Sequence, residues 1–141
     1  MAAYNKIQVF VKNIAEKVHN LASDSLKVML TNTAPVATNA VKADLTDISA
    51  GNGYTAGGTA PSITSSSQTS GTYKLVLGDV TFLAAGGSIG PFRYVALYND
   101  TPTSPAKPLI AWWDYGSSIT LADGESFVVD FDGTNGVMTI A

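Results

Sequence analysis

Phe92-Arg93-Tyr94-Val95-Ala96-Leu97-Tyr98 is the stretch whose reading decides the fold. Seven residues, six of them apolar or aromatic without the spacing of a helical face, suit a strand buried on both sides. Gly90-Pro91 precedes it and Asn99-Asp100 follows, and both pairs are turn chemistry. The spacing therefore predicts a central strand with others around it.

Those others are legible on either side. Leu26-Lys27-Val28-Met29-Leu30 alternates except at Met29, and Tyr73-Lys74-Leu75-Val76-Leu77 and Val80-Thr81-Phe82-Leu83 flank the break at Gly78-Asp79. Leu109-Ile110-Ala111-Trp112-Trp113 follows a Pro-rich turn. Ser126 to Phe131 and Gly136 to Ile140 end the chain. Short strands separated by Gly, Pro and Asn-Asp predict a mainly β protein: an antiparallel β-sandwich or jelly roll. Asp123-Gly124 and Asp132-Gly133-Thr134-Asn135-Gly136 supply residues that tolerate positive φ. They read as hairpin turns, the second pairing the last two strands with each other.

One N-terminal α-helix is expected over residues 4–22. Ile7, Val11, Ile14, Val18 and Leu21 recur at steps of four and three, with Phe10 widening the stripe. Ile7-Gln8-Val9-Phe10-Val11 also alternates as a strand would, but the longer period favours helix. Residues 23–141 would form the sandwich, giving a single domain over 1–141. Residues 31–71 are the weak stretch, a long polar loop or arm with the run Ser62 to Ser70. So long a loop is uncommon unless it holds strands or is ordered by a neighbour.

The chain has 141 residues, 13% charged and 45% hydrophobic, with a formal net charge of −3. The charged share is about half the usual one, and such a surface is covered by another protein at little desolvation cost. Lys6, Lys12 and Lys17 make the one basic cluster, diluted by Glu16, so direct nucleic-acid binding is not expected. No stretch is long and apolar enough to span a membrane, and the start has no secretory signal pattern.

Candidate chemistry is sparse. Cysteine is absent and His19 is the one histidine, which removes Cys–His pairs and leaves carboxylates for any metal. Asp130 and Asp132 flank Phe131 and could share a face, but calcium wants more oxygen ligands. They read more simply as a charged strand end, as Asp44 and Asp47 read as cap and turn residues. The glycine-rich stretches at 51–53 and 85–90 lack the Lys-Ser/Thr ending of a phosphate loop. No catalytic residue, cofactor or metal is expected. The aromatics say more: Trp112 and Trp113, adjacent on a strand, must face opposite sides. Phe10, Tyr54, Trp112, Trp113 and Tyr115 are the candidate interaction surface, with sugar binding by an aromatic platform as a further reading.

An ordered set of motifs carries a resemblance. Leu26 to Thr31 leads into Asn32-Thr33-Ala34-Pro35, and Ala43-Asp44-Leu45-Thr46-Asp47-Ile48 into Gly51-Asn52-Gly53-Tyr54-Thr55-Ala56-Gly57-Gly58. Then come Gly87-Ser88-Ile89-Gly90-Pro91 with the central strand, and Lys107-Pro108-Leu109-Ile110-Ala111-Trp112-Trp113-Asp114-Tyr115-Gly116. In that order they resemble small structural proteins of tailed bacteriophages, over about residues 6–131. The resemblance implies a non-enzymatic virion protein made in the host cytoplasm. Head decoration or cement is the first form it suggests: a homo-oligomer, as a trimer, bound to the major capsid protein. A tail or tail-fibre component, including a host-surface binder, is the alternative.

Overall fold

The apolar run at Phe92 to Tyr98 lies within an eleven-residue strand, Ile89–Asn99, that has neighbours on both edges. A computed structural model describes residues 2–141. In chain order they form β1 (Asn5–Lys6), α1 (Phe10–Ala15), β2 (Leu26–Thr31), a 3-10 turn (Lys42–Asp44), β3 (Ile63–Thr69), β4 (Thr72–Leu77), β5 (Val80–Leu83), β6 (Ile89–Asn99), β7 (Leu109–Leu121), β8 (Ser126–Val129) and β9 (Met138–Ile140). The strands pair antiparallel, in sheets ordered β1-β7-β6-β2, β3-β4-β9 and β5-β8. The protein is mainly β and sandwich-like, with one short helix.

The two smaller sheets run in line. Gly78 and Asp79 separate β4 from β5, and β9 and β8 run alongside them in turn. Leu75 faces Met138 while Val80 faces Val129, so five residues of one stretch oppose nine of the other. The surplus is looped out at residues 132–136, where the Asp132 carboxylate accepts from the backbone N–H groups of Thr134 and Asn135. The last two strands therefore do not pair with each other, as the turn residues suggested; each follows its own partner. The turn at Asp123-Gly124 also joins strands of different sheets. It is clamped to the chain leaving β5, through Gly124 N–H to Ala84 O (2.7 Å) and Ala84 N–H to Glu125 O (2.9 Å).

The N-terminal segment corrects the helix expected over residues 4–22. Asn5 and Lys6 pair with Trp112 and Ala111 of β7, and the Gln8 N–H goes to Ala37 O. Edge pairing has claimed Asn5 and Lys6, just before the alternating stretch Ile7 to Val11, whose Phe10 and Val11 open the short helix instead. The helix stops after six residues in a Schellman motif: Val18 N–H reaches Asn13 O at 2.9 Å and Lys17 N–H reaches Ile14 O. Lys17, with φ of 63°, stands where glycine is usual. The apolar stripe is broken accordingly. Ile7 and Leu21 are buried, but Val11 is 55% exposed.

Residues 31–71 are ordered by their own packing, not left as a loop awaiting a partner. Leu45, Ile48 and Tyr54 belong to the core. The Asp47 carboxylate accepts from the Tyr54 hydroxyl and the Gly57 N–H, both at 2.5 Å, and Tyr54 accepts from Leu30 N–H of β2. The Tyr98 hydroxyl then donates to Gly57 O at 2.6 Å. Bridges Thr31 to Asp47 and Val28 to Thr59 close the outer edge of β2. The Ser-rich run supplies β3, joined to β4 by Ser70-Gly71, both at positive φ as a type I′ hairpin requires.

His19 is buried against the Phe10 ring, with centroids 5.3 Å apart. The Asn99 amide donates to His19 Nδ1 and to the Asp24 carboxylate, so the ring proton sits on Nε2, which has no partner among the described residues. Burial lowers the His19 pKa, with Asp24 opposing.

Three outcomes follow from these contacts. Asp47→Ala strands two buried donors and should cost about 3 kcal/mol in denaturant unfolding. Gly58→Ala places a Cβ 1.9 Å from Val28 O at a φ of +86°, and should cost at least ~2 kcal/mol. The unfolded chain takes up a proton at His19 near pH 6.5 while the folded chain resists it. Stability should therefore fall as pH drops below about 6.5, with a shallower slope between pH 7 and 5 in His19→Gln.

Candidate functional site

On a strand, residues two apart share a face, so Trp113 and Tyr115 of β7 point the same way and Trp112 the other. Across that face, Val95 of β6 stands opposite Trp113. Two aromatic groups build outward from here. Trp113 meets Tyr4 and Phe131 edge to face, each with centroids 5.7 Å apart. Tyr115 meets Phe127 of β8 at 5.6 Å, and Phe127 meets the buried Phe92 at 5.1 Å. Each such pair contributes about 0.5–1.5 kcal/mol beyond the area it buries.

Between the groups lies an open cleft of about 490 Å³, with Tyr4, Trp113, Tyr115, Phe127 and Phe131 in its walls. That size lies within the ~300–1,000 Å³ of ordinary ligand pockets. Burial pushes the Tyr4 phenol up to about 12, so it stays neutral. A second cleft, between α1 and β9, shares Tyr4, Gly136 and Val137 with the first.

Charged groups are few. Asp130 and Asp132 both line the first cleft, together with the Phe131 between them. Asp132 is already engaged: Asn135, through backbone and side chain, and then Thr134 hold its carboxyl below the usual carboxylate range. Within the sheet, Arg93 of β6 donates to both oxygens of Asp114 of β7 at 2.8 and 3.0 Å, depressing that carboxyl as well. Among the described residues no three His, Asp or Glu side chains gather as metal ligands would.

The structure divides the candidate interaction surface. Phe10 and Tyr54 are 3% and 2% exposed and belong to the core, so neither can meet a partner. Phe10 packs on the His19 ring, and Tyr54 is held inside by its hydrogen bond to Asp47. Trp112 is half-buried on the opposite face, and Trp113 is half-buried in the cleft wall. Tyr115 is 53% exposed. Sequence reasoning missed Tyr4, Phe127 and Phe131. The signal for the last two was present in the alternation Phe127, Val129, Phe131; Tyr4 was hidden by the helical reading of its segment. His19 is not among the cleft residues.

No protein-family model matches the chain, and no curated protein or solved structure shows significant similarity to it.

Removing a wall of the cleft should separate structure from surface. Phe131→Ala, at a buried ring packed on Trp113, should cost about 3–4 kcal/mol in chemical unfolding. Tyr115→Ala should cost less, about 0.5–1.5 kcal/mol, because its ring is half in solvent and loses mainly the pair with Phe127.

Proposed function

We propose that this chain is a non-enzymatic structural protein of a tailed-phage particle, a head decoration or cement protein that binds the outer capsid surface as a homo-oligomer, most simply a trimer. The observation that carries this reading is the open aromatic cleft around Trp113 and Tyr115. It is an apolar surface with neither histidine nor a hydroxyl nucleophile paired to a base in its walls. Such a surface is suited to being covered by another protein rather than to moving protons. Low overall charge supports the same reading, and the resemblance of the ordered motifs to small phage structural proteins directs it to a virion. Repetition supplies the rest: many copies on a shell make weak single contacts cumulative. Closed cyclic symmetry lets each copy bury the same patch without growing fibres.

The tail or tail-fibre reading is favoured by one feature, the carboxylates beside the aromatic walls, which a host saccharide could use. Copy number separates the two. Quantitative mass spectrometry of purified particles should find hundreds of copies, and particles lacking the protein should break at lower temperature or after milder osmotic shock. Light scattering should give a mass several times the 14.6 kDa monomer. A handful of copies at the tail tip, with head stability unchanged, would overturn decoration in favour of the tail.

A further inference from the structure

The cleft holds a charge that has no partner among the described residues. Of the eleven carboxylate side chains, ten are tied into the protein. Asp24, Asp44, Asp47, Asp79, Asp123 and Asp132 accept from backbone or side-chain donors. Asp100 and Asp114 hold Lys27, Lys107 and Arg93, Glu16 meets Lys12, and Glu125 caps the turn at Ala122. Asp130 is the one with no hydrogen bond or ion pair among the described residues, and it lines the aromatic cleft. No lysine or arginine lines that cleft beside it.

We propose that the cleft receives an arginine side chain presented by a partner protein, its guanidinium against the Trp113 and Tyr115 rings and paired with the Asp130 carboxylate. This rests on the reading of the cleft as a protein-docking surface and names the chemistry of what docks. Three properties of the site select that occupant. The walls are π-systems, whose faces attract a cation. The one charge left unpaired in the cleft among the described residues is negative, and a carboxylate takes a guanidinium through two parallel hydrogen bonds. The guanidinium is planar and weakly hydrated, so it loses less on entering an apolar wall than an ammonium does. A saccharide is less well served. It needs several fixed polar partners around its hydroxyls, and here Asp132 already accepts three donors from its own turn.

The two tryptophans provide an internal control, since Trp112 lies on the opposite face of β7 from Trp113. The full-length protein is titrated with N-acetyl-arginine amide, with its neutral citrulline counterpart and with maltose, while the two indole N–H resonances are followed by NMR. The arginine probe should shift Trp113 saturably and leave Trp112 in place; citrulline and maltose should do neither. Asp130→Asn, at an exposed position, should weaken arginine binding about tenfold, equivalent to ~1.4 kcal/mol, and Tyr115→Ala should also weaken it. An unmoved Trp113, an equal response to citrulline, a response to maltose alone, or unchanged affinity in Asp130→Asn overturns the proposal. Its failure is distinct from failure of the virion reading. Particles carrying hundreds of copies of a protein that ignores arginine leave decoration standing, and a cleft that binds arginine in a protein missing from particles leaves this inference standing.

Discussion

Val95 to Asn99 of β6 are buried one after another, and because neighbours on a strand point to opposite faces, both sides of that strand have to be covered. This constraint organises the molecule. On the side of Tyr98 the cover is the segment between Lys42 and Gly58, a region with little regular structure that needs an anchor of its own. Asp47 provides it by gathering the Tyr54 hydroxyl and the Gly57 N–H, and Tyr98 closes the circuit from the strand itself. Each group in that network would be costly to bury alone, and together they leave no unpaired donor.

On the side of Asn99 and Val95 the cover is less complete. At one end, Phe10 and His19 fill the space, and Asn99 bridges His19 to Asp24. At the other, Trp113 is closed over by Tyr4 and Phe131, but further along β7 Tyr115 packs on Phe127 and stays 53% exposed. The aromatic cleft is thus the place where the covering of the sheet stops. Its apolar walls continue the core to the surface, and Asp130, unpaired among the described residues, lies at its lining.

The sheet edges complete the picture. An exposed edge is a template for another strand, and β2 avoids that through bridges to Thr59 and Asp47. The same residues that cover the central strand therefore also guard its neighbour, so Asp47 serves burial and edge protection at once.

What the sequence by itself determined was local. Strand periodicity located β2, β4, β5, β6 and the start of β7, because alternation and apolar runs between Gly, Pro and Asn-Asp depend on nearest neighbours alone. It marked Trp113 and Tyr115 as surface candidates by the same logic. Tertiary structure decided the rest. The helical period at residues 4–22 was real, but pairing of Asn5 and Lys6 with β7 used the same backbone differently, and a long-range hydrogen bond leaves no trace in a local pattern. Both Gly-containing turns formed, yet which strands they joined depended on where β4 and β5 already lay. Tyr54 looks like a surface aromatic until Asp47 is brought to it. The cleft itself joins Tyr4, Trp113 and Phe131, residues far apart in the chain, and only the closing of two sheets on one core puts them side by side.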